Sequence, residues 1–171
     1  MTSNSTTSLH SLPYWWRVTR YDPTRRDEGG VFPAGDWTSI ADIGAVFYGV
    51  ELTSLEYQRV ETAYVESFSA FAKDGGITKL EVRSLESGDR LHEGQILPLA
   101  DARTVVHRML REEARCRLES STNTFAVHVG FDLYMYVGST QPSLEAQRRT
   151  DLLGLIAEAG QRSPLWHQDD S

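Results

Sequence analysis

The chain has 171 residues, of which 40% are apolar and 24% are charged, and this balance excludes both a disordered chain and a membrane-embedded one. The length suits a single domain whose core is stable without disulfides or metal ions. The net charge of -7 disfavours general attraction to nucleic acid or to anionic membranes. The single cysteine, Cys116, cannot form an internal disulfide, so we expect a reducing, cytoplasmic location.

Three segments are expected from the composition along the chain. A Ser/Thr-rich stretch predicts a flexible N-terminal tail over 1–12. The periodic part predicts one α+β domain over 13–160, and the remainder, 161–171, is predicted to be a C-terminal tail. No apolar run approaches the roughly 20 residues that span a bilayer, so we expect no membrane partner.

The first part of the domain predicts a strand, a loop and a short helix. Aromatic and β-branched residues favour a strand over 14–21. The Gly- and Pro-rich loop that follows, over 22–36, is long for a plain connection and is therefore a candidate for function. A short helix is predicted over 39–47, ended by Gly49.

The long helix that follows is the clearest element in the sequence. Thr53 and Glu56 form a capping box at its start, and the pair Gly75-Gly76 ends it. Apolar and aromatic side chains recur every three or four residues along it, at Tyr57, Val60, Tyr64, Phe68 and Phe71. We therefore expect one aromatic face of this helix to be buried.

The second half predicts mainly strands. Alternation indicates a strand over 77–85, followed by a turn-rich segment over 86–98. Asp101 is the predicted cap of a helix over 102–113, and Ser143 of a last helix that reaches 159. Between these helices lie three predicted strands, over 115–119, 124–130 and 133–138, joined by short links that require an antiparallel meander.

The element order β-α-α-β-α-β-β-β-α predicts an α+β fold. We expect about five strands in a mostly antiparallel sheet, with the helices packed mainly on one of its faces.

Several segments of the chain resemble an uncharacterised family of small actinobacterial cytosolic proteins. They are 14–23 (YWWRVTRYDP), 36–39 (DWTS), 42–44 (DIG), 110–113 (LREE) and 128–138 (HVGFDLYMYVG). The similarity covers most of 14–138 and implies a bacterial cytosolic origin and a single domain. No activity is established for that family, so the resemblance implies no role for any residue.

Strand alternation sorts the meander into two sets of side chains. The core set is Cys116, Leu118, Phe125, Val127, Val129, Leu133, Met135 and Val137. The opposite set, with the first strand alongside, is Arg17, Tyr21, Arg115, Arg117, His128, Tyr134 and Tyr136. This second set predicts a cationic and aromatic sheet face.

Three interpretations of that face remain open. Tyrosine and arginine are favoured anchors at protein interfaces, which predicts a protein partner. The same side chains can also stack on a nucleic-acid base or grip a small anionic ligand, although the net charge disfavours this. The third interpretation is that the cross-strand pairs only stabilise the sheet.

A catalytic alternative rests on one histidine. His128 together with Asp132 or Asp22 could act as a general base oriented by a carboxylate. Arg17, Arg115 or Arg117 would then serve as anion clamps. Such a set would suit a small hydrolase or a nucleic-acid-processing enzyme. A strand histidine is more commonly a structural hydrogen-bonding residue, and Cys116, on the apolar side, is expected to be an inert thiol.

No cofactor or metal site is expected. The histidines are scattered, and neither glycine pair follows a dinucleotide or phosphate-loop pattern. The leading prediction is therefore a non-enzymatic protein-binding module, of an interaction or inhibitor/immunity-like type, that uses the Arg/Tyr/His sheet face. The sequence does not indicate an oligomeric state.

Overall fold

The secondary structure confirms the predicted α+β class in a computed structural model that describes residues 12–22, 24 and 35–163. The helices are α1 (Ser54–Asp74), α2 (Leu99–Leu110) and α3 (Leu144–Leu152). The strands are β1 (Tyr14–Thr19), β2 (Val46–Phe47), β3 (Val50–Glu51), β4 (Lys79–Gly88), β5 (Ile96–Pro98), β6 (Ala114–Glu119), β7 (Phe125–Val129), β8 (Met135–Ser139) and β9 (Ile156–Ala159).

One large sheet dominates the described part of the chain. It contains seven strands in the order β5-β4-β6-β7-β8-β1-β9, two more than the predicted five. Every pairing between these strands is antiparallel. The predicted meander is β6, β7 and β8, and β1 lies between β8 and β9. Strands β2 and β3 form a separate small hairpin.

The core lies between the helices and one face of the sheet. All members of the predicted core set on the meander are buried in one hydrophobic cluster, which confirms the strand parity. Helix α1 contributes the predicted aromatic stripe to it, and four of those side chains, Tyr57, Tyr64, Phe68 and Phe71, are almost completely buried. Burial of these large rings supplies the main hydrophobic stabilisation of α1.

The start of α1 shows the Thr53 half of the predicted capping box. The Thr53 side chain accepts a hydrogen bond from the Glu56 amide at 3.1 Å and so satisfies a free helix N–H group. The Glu56 carboxylate pairs with Arg59 at 2.7 Å. The helix ends at Asp74, and Gly75 follows as the C-cap.

One predicted helix is wrong, and the predicted last helix is present but shorter than expected. The segment 39–47 contains only a 3-10 turn, Ile40–Asp42, before the hairpin of β2 and β3. Tyr48 and Gly49 both have positive φ, 51° and 79°, and this backbone suits a tight hairpin turn. The last helix, α3, stops at Leu152, because Gly154 turns the chain with φ 80° into β9.

The remaining boundaries differ by smaller amounts. Helix α2 begins at Leu99, so Pro98 occupies the N-cap position and Asp101 lies in the first turn instead of capping it. Helix α3 does follow Ser143, but that side chain makes no capping hydrogen bond. The predicted turn-rich segment 86–98 contains the end of β4 and all of β5.

Both predicted tails include residues that pack on the domain. Leu12 is 1% exposed and clusters with Trp15 and Ala126, and Ser163 is completely buried. Residues 1–11 and 164–171 of these tails, and residues 23 and 25–34 of the predicted loop, lie outside the described residues. Among the helices described, none has the length and apolar character needed to cross a membrane.

Candidate functional site

A cavity of about 570 Å³ lies at the end of the sheet where β7 finishes and β6 and β8 begin. The turn between β7 and β8 forms one wall, and the last turn of α2 and a bulged part of β4 complete it. The charged and aromatic residues that line it are Glu86, Glu112, Arg115, His128, Phe131, Asp132, Tyr134 and Tyr136.

Four of the seven residues predicted for the sheet face meet at this cavity, and Asp132, a predicted partner of His128, lines it as well. Arg115, His128, Tyr134 and Tyr136 all line it. The other three, Arg17, Tyr21 and Arg117, lie beside it on neighbouring strands or just beyond the end of one. The register of the sheet explains this grouping, since His128 is paired with Tyr136 on β8 and with Arg117 on β6.

The aromatic rings of the site are packed together. His128 stacks on Tyr136 with their ring centroids 6.3 Å apart, and Tyr21 meets Tyr134 edge-on at 5.8 Å. A Cβ atom placed on Gly130 would lie 3.4 Å from the Tyr136 ring, so a glycine here lets the turn approach the ring closely. Only 5% of His128 and 6% of Tyr136 are exposed, so these rings do not form the open platform that an unobstructed sheet face would provide.

The arginines of the sheet face are matched by glutamates. The ion pairs are Arg17–Glu158 at 2.9 Å, Arg115–Glu86 at 3.5 Å and Arg117–Glu119 at 3.2 Å. The face is therefore charge-balanced, and the prediction of a cationic face is wrong. Glu158 lies on β9 opposite Arg17, in a segment that we predicted to be helical.

The environment of His128 keeps its imidazole neutral at neutral pH. Burial, reinforced by the positive charges of Arg117 and Arg115, lowers the pKa of His128 from 6.5 to about 4. Its Nδ1 atom is hydrogen-bonded to the Ser163 hydroxyl at 3.0 Å. A carboxylate that oriented this ring would raise its pKa, which is the opposite direction.

The two carboxylates predicted to assist His128 have other environments. Asp22 accepts hydrogen bonds from the Thr24 amide at 2.9 Å and from the Thr24 hydroxyl at 2.7 Å. Asp132 is exposed on the rim of the cavity. The described contacts therefore do not favour general-base chemistry at His128.

The rim of the cavity has an unusual backbone. Three non-glycine residues adopt left-handed backbone conformations: Glu112 at φ 62°, Asp132 at φ 60° and Leu133 at φ 58°. The Tyr64 hydroxyl on α1 donates a hydrogen bond to the Leu133 carbonyl at 2.6 Å and accepts one from the Arg20 amide at 2.9 Å. A core side chain thus helps hold the turn that carries Asp132.

The cavity lining has an excess of negative charge. Glu86, Glu112 and Asp132 contribute three carboxylates, while Arg115 contributes one guanidinium. In the part of the chain that the structure describes, neither Glu112 nor Asp132 takes part in an ion pair. With His128 neutral, the carboxylates of Glu112 and Asp132 have no ion-pair partner among the described residues.

Sequence reasoning did not identify Glu86, Glu112 or Phe131 as site residues. Phe131 was assigned only to a link between strands, whereas Asp132 of the same link was predicted as a carboxylate partner of His128. Glu86 and Glu112 lie at the ends of distant elements. The exposed Phe131 was the one available signal, because a large aromatic residue in a short polar turn is uncommon.

Within the described ranges, no cluster of histidine, cysteine, aspartate or glutamate side chains is suited to hold a metal ion. Comparisons with protein-family models, with curated proteins and with solved structures find no match to this chain.

Proposed function

We propose that this protein is a non-enzymatic binding module that recognises a protein partner through the cavity at the end of β6, β7 and β8. The observation that carries the proposal is the 570 Å³ volume of this cavity, which falls in the size range of ligand sites, together with its aromatic walls.

The composition of the lining supports a binding role. Tyrosine is among the side chains that most commonly anchor protein interfaces, and Tyr134 and Tyr136 both line the cavity. Phe131 is 68% exposed and continues the apolar surface beyond the rim. A partner can therefore insert a side chain into the cavity and also contact the ring of Phe131 outside it.

The chemistry of the site supports binding over catalysis. A histidine with a pKa of about 4 is a poor general base at neutral pH. The arginines that a hydrolase would use as anion clamps are held in ion pairs with glutamates. Neither feature favours the alternative of a hydrolase or a nucleic-acid-processing enzyme.

Quantitative affinity capture from the source cells tests the proposal. The wild-type protein should retain a stoichiometric partner, and Phe131→Ala should weaken that interaction by about tenfold or more, as expected for an interface anchor. Because Phe131 is largely exposed, the change should leave the fold intact. Leu144→Ala is the matched control, since Leu144 is 73% exposed on α3 and does not line the cavity.

Replacement of Phe131 by the photo-crosslinker p-benzoylphenylalanine gives an independent measurement. It should attach the same partner covalently on irradiation, whereas the crosslinker at Leu144 should not. Full retention of the partner by Phe131→Ala, or crosslinking only from Leu144, would place the binding surface elsewhere and contradict the proposal.

A further inference from the structure

We propose that the side chain received by this cavity is cationic, a lysine or arginine presented by the protein partner. This inference rests on the binding function proposed above and specifies the chemistry of the occupant. Three properties of the described residues support it: the charge of the lining, the aromatic walls and the fixed geometry of the rim.

The charge of the lining favours a cation. Glu112 and Asp132 are both exposed at the rim, and the charge of Arg115 is offset by Glu86 at 3.5 Å. The chain as a whole carries a net charge of -7, so its long-range field also attracts basic partners. An anionic side chain would meet two uncompensated carboxylates and would be repelled.

The aromatic side chains of the site already hold guanidinium groups of the chain itself. The guanidinium carbon of Arg115 lies 4.6 Å from the ring centroid of Phe131, and that of Arg17 lies 4.7 Å from the ring centroid of Tyr134. Both distances are within the range of attractive cation–π contacts. The walls of the cavity are therefore chemically suited to a second cation from a partner.

The remaining lining suits the stem of such a side chain. Met109, Ala114 and Val129 contribute apolar surface to the cavity, against which the methylene groups of lysine or arginine can pack. His128 is neutral at neutral pH and so adds no repulsive charge to the wall. The cavity thus combines an apolar interior with an anionic rim, which matches the amphipathic form of a long basic side chain.

The rim is held in position before a partner arrives. Asp132 adopts a left-handed conformation with φ 60°, and the next carbonyl, that of Leu133, is fixed by the Tyr64 hydroxyl at 2.6 Å. A carboxylate on a fixed backbone loses less conformational freedom on binding than one on a mobile loop. The geometry therefore favours productive contact between Asp132 and an incoming cation.

Peptide titrations test the charge preference directly. The probes are acetylated and amidated glycine-serine peptides that differ only in the central residue, which is arginine, lysine, norleucine or glutamate. Amide resonances of the 15N-labelled protein are followed at neutral pH and millimolar peptide. Arginine and lysine peptides should shift the resonances of Phe131 to Tyr136, the norleucine peptide should bind about threefold to tenfold more weakly, and the glutamate peptide should not bind.

Charge-changing variants should alter this binding in opposite directions. Asp132→Asn keeps a side chain that tolerates the left-handed backbone and removes the charge, so it should weaken binding of the arginine peptide by about threefold to tenfold. Glu112→Gln should act in the same direction. Arg115→Gln removes the one positive charge that the described residues contribute to the lining and should strengthen binding. Asp151→Asn, on exposed α3, changes the net charge equally and should have no effect.

The outcomes separate this inference from the proposed function. Binding of the norleucine or glutamate peptide as tight as that of the arginine peptide would overturn the cationic occupant while leaving a binding cavity. Weaker binding in Arg115→Gln would overturn it as well. Agmatine that binds as tightly as the arginine peptide would identify a small amine instead of a protein side chain. If no probe shifts the cavity resonances, both the inference and the proposed cavity function fail.

Discussion

Tyr64 links the core to the rim of the cavity, and its hydroxyl can be removed with little change in shape. In Tyr64→Phe the ring still fills its place in the core, where Tyr64 is completely buried. The hydrogen bonds to the Leu133 carbonyl, at 2.6 Å, and from the Arg20 amide, at 2.9 Å, are both lost. The Leu133 carbonyl and the Arg20 amide would then each lose the hydrogen-bond partner that Tyr64 provides.

The expected loss of stability follows from these two bonds. An unsatisfied buried donor or acceptor costs about 1–3 kcal/mol. The Arg20 amide is only partly buried and should cost about 1 kcal/mol, so the two groups together should cost about 2–4 kcal/mol. This is a large fraction of the total stability of a small domain, about 5–15 kcal/mol, yet the variant should still fold. The turn at Leu133 should also lose amide protection in hydrogen exchange, because its carbonyl is no longer held.

Urea denaturation measures the change, with an unchanged m-value as the sign that the folded state keeps its compactness. Tyr57→Phe is the matched control, because the Tyr57 hydroxyl makes a longer bond, 3.2 Å, to the Leu110 carbonyl. We expect the control to cost about 1 kcal/mol. A Tyr64→Phe variant no less stable than Tyr57→Phe would refute the view that this hydroxyl supports the rim.

Three further outcomes are expected. Gly138→Ala places a Cβ atom 2.7 Å from the Trp15 ring, so thermal unfolding should show a loss of stability of about 1–3 kcal/mol. Gly130→Ala, whose new Cβ has its nearest contact at 3.4 Å, should lose less stability. Equal losses in the two variants would contradict this. The pKa of His128 in the folded protein, about 4, lies below its ordinary 6.5. Between these two pH values the unfolded state therefore binds more protons than the folded state. The free energy of unfolding should fall by up to about 3 kcal/mol as the pH drops from 6.5 to about 4. His128→Gln should lose this dependence, and an imidazole that titrates near 6.5 by NMR would disprove it. Burial raises the pKa of Cys116 to about 11, so a thiol reagent should modify it only on unfolding; rapid labelling of the native protein would be inconsistent with this environment.

The elements that local chemistry specifies were predictable from the sequence. The capping side chain of Thr53 and the aromatic repeat of α1 depend on neighbours within a few residues, and both are present in the structure. The parity of β6, β7 and β8 was also predictable, because one buried face fixes the alternation along all three strands. The α+β class follows from these elements together.

The secondary-structure predictions are wrong where a short sequence pattern is compatible with both a helix and a strand or turn. Leu152, Leu153 and Ile156 have a spacing typical of a helix, but Gly154 ends the helix and Ile156 starts β9. The segment around Tyr48 and Gly49 has the same ambiguity, because a glycine that can stop a helix can also form a hairpin turn. In both places a tertiary or turn preference outweighed local periodicity.

The cavity could not be derived from strand parity. Its rim joins the end of α2 at Glu112 to the turn at Phe131 and Asp132, and no local pattern specifies that these ends meet. The balance of charge on the sheet face was missed for a related reason. Glu158 neutralises Arg17 only because β9 pairs with β1, a strand that is distant in sequence.

The position of β1 has a consequence for how the chain folds during synthesis. Its two neighbours in the sheet, β8 and β9, both come from the last third of the described chain, with Arg17 and Glu158 paired across 141 positions. On the ribosome, β1 therefore finds its first strand neighbour only after Met135 has emerged. Until then β1 has no strand to pair with, so its backbone N–H and C=O groups must bind solvent or chaperones, and β1 is among the last strands able to join the sheet.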